Sequence, residues 1–175
     1  GVTMFLPEQD KYSISKKQLE SQLASLFGGR VAEELVFGKI STGALSDLEK
    51  ITKQAYAMVA YFGMSEKVGN ISFYDSTGQT DFGFTKPYSE KTAELIDQEV
   101  NLIIAESYVR AKEVLKNNMK GLTELAELLL EKEVIFGEDL ERIFGKRKAD
   151  LLKEEKEALA NPIEAIAITE GMNVD

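Results

Sequence analysis

Residues 15–38 read SKKQLESQLASLFGGRVAEELVFG, and they predict a helix that a glycine pair interrupts. Ser15 and Gln18 have the spacing of a capping box, which satisfies two backbone N–H groups at a helix start. Gly28 and Gly29 each lower helix propensity by roughly 1 kcal/mol relative to Ala. Close approach to another helix is the expected compensation. The apolar residues behind the box recur at helical spacing and are expected in the core: Leu19, Leu23, Leu26, Phe27, Val31 and Leu35.

The same periodicity predicts four more helices, over residues 46–62, 89–117, 122–132 and 138–144. Ser46 and Glu49 have the spacing of a second capping box. The expected core faces of the two longer helices are Leu48, Ile51, Ala55, Met58 and Phe62 in the first, and Ile96, Val100, Ile103, Ile104, Tyr108, Ala111 and Leu115 in the second.

Two short strands complete the predicted fold, at Val2–Leu6 and Ile71–Tyr74. Residues 75–88 have little periodicity and predict an irregular, mobile surface loop. The expected fold class is therefore mainly α, a helical bundle domain with two or so short strands. That domain is expected to span residues 1–145, and the charged, weakly patterned residues 146–175 are expected to form a tail.

The composition excludes several classes of function. The 175 residues include no Cys and no His, so disulfides, thiolate metal sites and His-based catalytic triads are excluded within this chain. The net charge of −9 and a pI near 4.8 argue against nucleic acid as a partner. No apolar run approaches the roughly 18 residues of a membrane span, and no signal peptide is visible. The chain begins with Gly1 and enters an apolar run at once, which indicates a piece of a longer protein.

Asp47 stands at a predicted helix start in the segment STGALSD, and two interpretations of it are open. The helix dipole stabilises a carboxylate in the first turn by about 0.3–1 kcal/mol, which is an ordinary structural role. Alternatively, Asp47 is one ligand of a metal site. Glu33 and Glu34 lie near the apolar face of the preceding helix, where an ion pair with Arg30 or a lysine is the ordinary expectation. Periodicity does not choose between the two glutamates.

Four ordered blocks with short gaps between them carry a resemblance to a known family: GVTMFLPE, LFGGRVAEELVFG, ISTGALSDLEKIT and FGMSEKVG. They resemble the peptidase domain of the FtsH family of membrane-anchored AAA+ zinc metalloproteases. The later segments SEKTAELIDQEV and LAELLLEKEVIFGEDLERIF are similar to the C-terminal helices of that family. The resemblance covers roughly residues 1–145, and residues 146–175 do not contribute to it.

The resemblance implies a set of site residues. In that family two His of an HExxH helix and one Asp hold zinc, and Asp47 matches the Asp, which implies that Asp47 is the third zinc ligand of the parent protein. Glu33 is implied as a carboxylate that orients a ligand His. The strand residues implied to line the substrate cleft are Val2, Thr3, Met4 and Phe5. The loop 75–88 is expected near the cleft mouth. The HExxH helix is absent from this chain, since the chain has no His.

The resemblance also implies the setting of the parent protein. It would hold zinc in the peptidase domain and ATP with Mg²⁺ in an ATPase module, and it would form a homohexamer. Its substrates would be unfolded or membrane proteins, and an anchor outside this chain would hold it at the inner membrane of a bacterium, facing the cytoplasm. One carboxylate cannot hold zinc usefully, so this chain alone is expected to be proteolytically inactive and to retain no stoichiometric zinc. The alternative is a non-catalytic paralogue that acts as an oligomerisation or interaction domain.

Overall fold

The protein is described by a computed structural model, which covers residues 13–74, 87–147 and 151–152. The named elements in these residues are all helical, which confirms the mainly α fold class. They are α1 (Lys16–Leu26), α2 (Gly28–Phe37), a short 3₁₀ helix (Thr42–Ala44), α3 (Leu45–Ala60), α4 (Glu90–Asn117), α5 (Met119–Lys132) and α6 (Gly137–Phe144). The chain divides into two compact units, Gly1–Asn117 and Asn118–Asp175. The domain boundary expected at residue 145 stays a prediction.

The first unit is built around α4, which packs against α1, α2 and α3. Apolar side chains from all four helices meet in one core, whose fully buried members include Leu23, Val31, Ile51, Met58 and Ile96. Most of these positions follow the predicted helical stripes. Burial of that common face holds the four helices together, since a fully buried aliphatic side chain contributes about 1.5–3 kcal/mol.

The predicted helix over residues 15–38 is two helices that meet at Phe27. The capping box at its start is confirmed, because the Gln18 N–H donates to Ser15 Oγ over 3.3 Å and the Ser15 N–H donates to Gln18 Oε1 over 2.9 Å. Among the described residues the expected close approach at the glycine pair is wrong, since a Cβ at Gly28 or Gly29 would meet none of their atoms from another element within 4 Å. The glycines instead form the first turn of α2, directly after the buried Phe27.

The start of the next helix differs from the prediction. Ser46 lies inside α3 rather than at its N-cap, so the predicted capping box with Glu49 is wrong. The chain enters α3 through the 3₁₀ helix, and Ser41 caps that element instead. At the other end α3 stops at Ala60, and Phe62 therefore leaves the buried stripe and is 57% exposed.

The strand predicted at Ile71–Tyr74 is wrong, because these residues lie along the end of α3 without pairing as a strand. The Phe73 N–H donates to the Ala60 carbonyl over 2.8 Å. A carbonyl in the last turn of a helix has no partner within the helix, so it is a ready acceptor for a neighbouring segment. The other predicted strand, Val2–Leu6, lies outside the described residues, as do residues 75–86 of the predicted loop and most of the tail.

The connection after α3 is fastened to α4 by a buried carboxylate. Glu99 accepts hydrogen bonds from Ser65 Oγ over 2.8 Å and from Lys67 Nζ over 2.7 Å. Hydrogen bonds from Lys67, and then from Ser65, hold the pKa of Glu99 below its usual value. The FGMSEKVG block is thus bound to the scaffold helix by a satisfied buried charge.

The described part of the second unit is the helical pair α5 and α6. The Phe144 ring lies against the backbone of Gly121, where any side chain would collide with it. Asp139 accepts from the Phe136 N–H over 3.2 Å and pairs with Lys132 over 2.9 Å, which fixes the start of α6. Within residues 13–74 and 87–147, no helix combines the length and the apolar character needed to cross a membrane.

Candidate functional site

Asp47 is the third residue of α3 and presents its carboxylate to solvent. Its side chain is 44% exposed, and its ion pair with Lys50 is long, at 3.8 Å between Oδ1 and Nζ. Pairs of this kind between exposed side chains are worth about 0–1 kcal/mol. The N-cap position of α3 is Ala44, so Asp47 does not act as a capping residue. Its carboxylate is therefore held on a regular helix and is accessible to a metal ion.

The 3₁₀ helix fixes where α3 begins. Ser41 precedes it in extended conformation, and Ser41 Oγ accepts the Gly43 N–H over 3.2 Å. At its other end the Leu45 N–H donates to the Thr42 carbonyl, so the 3₁₀ helix continues directly into α3. We call residues 41–44 the ligand turn, because the path of this segment determines where Asp47 lies.

Glu33 on α2 binds the ligand turn. The Ser41 hydroxyl donates to Glu33 Oε1 over 2.8 Å, and the Ser41 N–H donates to Oε2 over 3.1 Å. These hydrogen bonds, the side-chain one first, hold the pKa of Glu33 below its usual value, and the charge of Arg30 adds to the effect. The ionised Glu33 carboxylate on α2 therefore binds the ligand turn, which leads into α3.

Glu34, the next residue, faces the scaffold. It accepts hydrogen bonds from Tyr108 Oη and, over 2.6 Å, from Lys112 Nζ on α4. The ion pair with a lysine that the sequence allowed for either glutamate is thus formed by Glu34. Glu33 uses Ser41 as its partner instead. Sequence reasoning did not identify Ser41, although a serine two residues before a turn glycine is a recognisable side-chain turn signal.

The described residues offer one candidate zinc ligand, Asp47, rather than a complete zinc site. Zinc takes three or four ligands from Cys, His, Asp and Glu. The sequence has no Cys and no His, and the described residues contain no group of three potential ligands. Asp47 fits the chemistry of a single carboxylate ligand, since it is exposed and weakly paired. The predicted cleft residues, Val2, Thr3, Met4 and Phe5, lie outside the described residues.

Apolar side chains surround the ligand turn without being buried. Val36 and Phe37 at the end of α2 are 54% and 72% exposed, and Ile40 and Leu45 on either side of the turn are 54% and 74% exposed. Within the described residues, no buried apolar side chain therefore holds the turn. Its fixed geometry depends on the polar contacts of Ser41.

Comparison of the chain with known proteins shows which family and which relatives its sequence matches. Residues 1–143 match the model of peptidase family M41. The chain is 58% identical over 147 residues to the ATP-dependent zinc metalloprotease FtsH of Parabacteroides distasonis, covering 84% of this chain and 21% of that protein. It is 51% identical over 143 residues to FtsH of Karelsulcia muelleri, covering 82% and 23% of the two chains. It is also 44% identical over 147 residues to the mitochondrial inner membrane m-AAA protease component AFG3L2 of Mus musculus, covering 84% and 18%. The chain thus spans about a fifth of the length of these relatives.

Proposed function

The chain belongs to peptidase family M41, with the FtsH-type zinc metalloproteases, and on that premise we propose that it forms part of the peptidase domain of an ATP-dependent zinc metalloprotease. In this proposal the whole protein hydrolyses peptide bonds in unfolded or membrane proteins. The observation that carries the proposal is the presentation of Asp47, an exposed carboxylate that follows a tethered turn and has only a long ion pair with Lys50 among the described residues.

Asp47 is proposed as one zinc ligand, and the remaining ligands come from residues that this sequence does not include. Zinc, when bound, would lower the pKa of a coordinated water and polarise the scissile carbonyl. The contribution of this chain is positional. The helix start holds the Asp47 carboxylate in one direction, and Glu33 supports that start from α2. Glu33 is proposed to act next to the metal ligands rather than on the metal itself.

The surroundings of the turn suit a peptide substrate. Exposed apolar side chains at Phe37, Ile40 and Leu45 give an extended chain a surface for its side chains. Residues 2–5 are proposed to line the same cleft as a strand, where an extended substrate could add main-chain hydrogen bonds. The loop at residues 75–88 is proposed to lie near the cleft mouth.

The assembly of the whole protein is also a proposal. We propose that the whole protein is a homohexamer and that it includes an ATPase module, which uses ATP and Mg²⁺. An anchor holds it in a bacterial inner membrane, and the peptidase domain faces the cytoplasm. The names of the relatives support the ATP-dependent protease and, for the mouse protein, a membrane location.

The test uses the full-length protein. Zinc content and casein hydrolysis are measured for the wild type, for Asp47→Asn and for Asp97→Asn, an exposed aspartate on α4. We expect Asp47→Asn to lose bound zinc and to lower hydrolysis by orders of magnitude, and Asp97→Asn to match the wild type. Full zinc content and activity in Asp47→Asn would refute the ligand assignment. A wild-type protein with neither zinc nor hydrolysis would support the non-catalytic alternative.

A further inference from the structure

We propose that Ser41 is a positioning residue that sets the direction of the Asp47 carboxylate, and that the Glu33–Ser41 pair is the tether through which α2 fixes this ligand. The inference rests on the proposed zinc protease function and adds a residue that sequence reasoning did not identify. It starts from the number of contacts that converge on Ser41, at the first position of the ligand turn.

The polar groups of Ser41 are used in two directions. Its hydroxyl donates to Glu33 Oε1 over 2.8 Å and accepts from the Gly43 N–H over 3.2 Å, while its own N–H donates to Glu33 Oε2 over 3.1 Å. The first and third contacts join the turn to α2, and the second shapes the turn itself. One side chain therefore links the helix before the turn to the helix that carries Asp47.

Among the described residues, this tether is not backed by a buried apolar side chain. None of residues 36–46 is buried, and Ile40 and Leu45 on either side of the ligand turn are more than half exposed. Hydrogen bonds to charged groups are stronger than those between neutral groups. The Glu33–Ser41 contact is thus a charge-assisted restraint on the path into α3.

The position of Asp47 depends on this path. The 3₁₀ helix runs into α3 without a break, so a shift of Ser41 moves the first turn of α3 and the carboxylate on it. Metal ligands need to be held within about 0.5 Å of their productive positions. Loss of a residue that orients a ligand typically costs about 10–100-fold in metal affinity or activity.

Three serine variants of the full-length protein test the proposal. Ser41→Ala removes the hydroxyl, and Ser41→Thr keeps it at a backbone angle of φ −115° and ψ 177°, which a β-branched residue adopts readily. Ser46→Ala is the matched control, since Ser46 lies next to Asp47 on α3 and its side chain has no hydrogen bond among the described residues. The measurements are zinc affinity by competition with a chromophoric chelator, peptide hydrolysis, ATP hydrolysis and amide hydrogen exchange of the segment 38–44.

We expect Ser41→Ala to weaken zinc binding and peptide hydrolysis by about 10–100-fold, to accelerate amide exchange in the turn, and to leave ATP hydrolysis unchanged. Ser41→Thr is expected to restore zinc affinity to within a few fold, and Ser46→Ala to behave as the wild type. A purely structural role would instead lower ATP hydrolysis and the melting temperature together with zinc binding, and this would overturn the proposal.

The outcome also separates this inference from the proposed function. If Asp47→Asn loses zinc while Ser41→Ala binds it with wild-type affinity, the ligand assignment stands and the tether is refuted. If Asp47→Asn keeps its zinc, the ligand assignment itself fails, and the tether loses its role with it. Faster exchange in Ser41→Ala without any change in zinc affinity would mean that the turn tolerates movement, which also refutes the proposal.

Discussion

Glu34 Oε1 lies 2.6 Å from Lys112 Nζ, and this ion pair fastens α2 to the scaffold helix α4. It also separates the roles of two adjacent glutamates. Glu34 joins two helices of the first unit at a half-buried position, with Tyr108 as a second donor. Glu33 turns toward Ser41 on the ligand turn instead. Substitutions at the two positions are therefore expected to have different consequences, one for stability and one for zinc binding.

The Glu34–Lys112 pair predicts a pH window of stability. Hydrogen bonds from Lys112 and Tyr108 lower the pKa of Glu34, and the same contact with Glu34 raises the pKa of Lys112. The stabilisation that depends on ionised Glu34 is fully present above the ordinary glutamate pKa of about 4.3. It is lost as the pH falls through the lowered pKa of Glu34 in the folded protein. The stabilisation that depends on protonated Lys112 is fully present below the ordinary lysine pKa of about 10.4. It is lost as the pH rises through the raised pKa of Lys112 in the folded protein.

We therefore expect Glu34→Gln to lower the melting temperature of the 175-residue chain at pH 7, with the difference from wild type shrinking below about pH 4. Thermal unfolding followed by circular dichroism across this pH range measures it. Glu94→Gln, an exposed substitution on α4, is the control and should change little. A deficit of Glu34→Gln that stays the same at pH 3 would show that the pair does not carry the effect.

Asp47→Asn is expected to leave the fold nearly intact. The variant loses a helix-dipole interaction of about 0.3–1 kcal/mol and a long, exposed ion pair of little value. The free energy of unfolding, measured with urea, should change by less than about 1 kcal/mol. In the full-length protein ATP hydrolysis should persist. Asp139→Asn is the contrasting variant, since Asp139 accepts from the Phe136 N–H at the start of α6 and pairs with Lys132, and it should lower the melting temperature more. The reverse order would make Asp47 a structural residue.

Leu23→Ala should be strongly destabilising. Leu23 has no exposed surface, and α1 packs against both α3 and α4 around it. Truncation of a buried leucine removes apolar burial and leaves a cavity, at a cost of about 2–5 kcal/mol. Leu102→Ala on α4, where the side chain is 45% exposed, should cost about 0.5 kcal/mol or less. Equal losses of unfolding free energy in the two variants would contradict the described core.

Gly121→Ala should have an effect whose sign depends on Phe144. Alanine gains up to about 1 kcal/mol of helix propensity over glycine, but its Cβ collides with the Phe144 ring. In a Phe144→Ala background the substitution should stabilise α5, and in the wild type it should stabilise less or destabilise. A double-mutant cycle of unfolding free energies measures the difference. Additive effects would show that the ring does not lie on Gly121.

The sequence by itself determined the helices, most of the core and the family. Apolar residues at helical spacing placed the buried faces correctly at positions such as Leu19, Ile51 and Ile96, because burial of one helical stripe is a local pattern that the chain carries in its order of residues. Ordered motifs identified the family in the same way, and the absence of His bounded the metal chemistry.

The tertiary structure decided the roles of individual polar residues. Adjacent positions on a helix point about 100° apart, so whether Glu33 or Glu34 meets a partner depends on which helix or turn packs beside each. Likewise, the Ala60 carbonyl can accept the Phe73 N–H only because α3 ends at Ala60. The predicted strand that contains Phe73 is therefore a connection along the end of the helix. Ser41 acquired its role because folding brings it to the Glu33 carboxylate from eight positions away. Hydrogen bonds of this kind depend on where separate elements meet in space, which local sequence patterns do not specify.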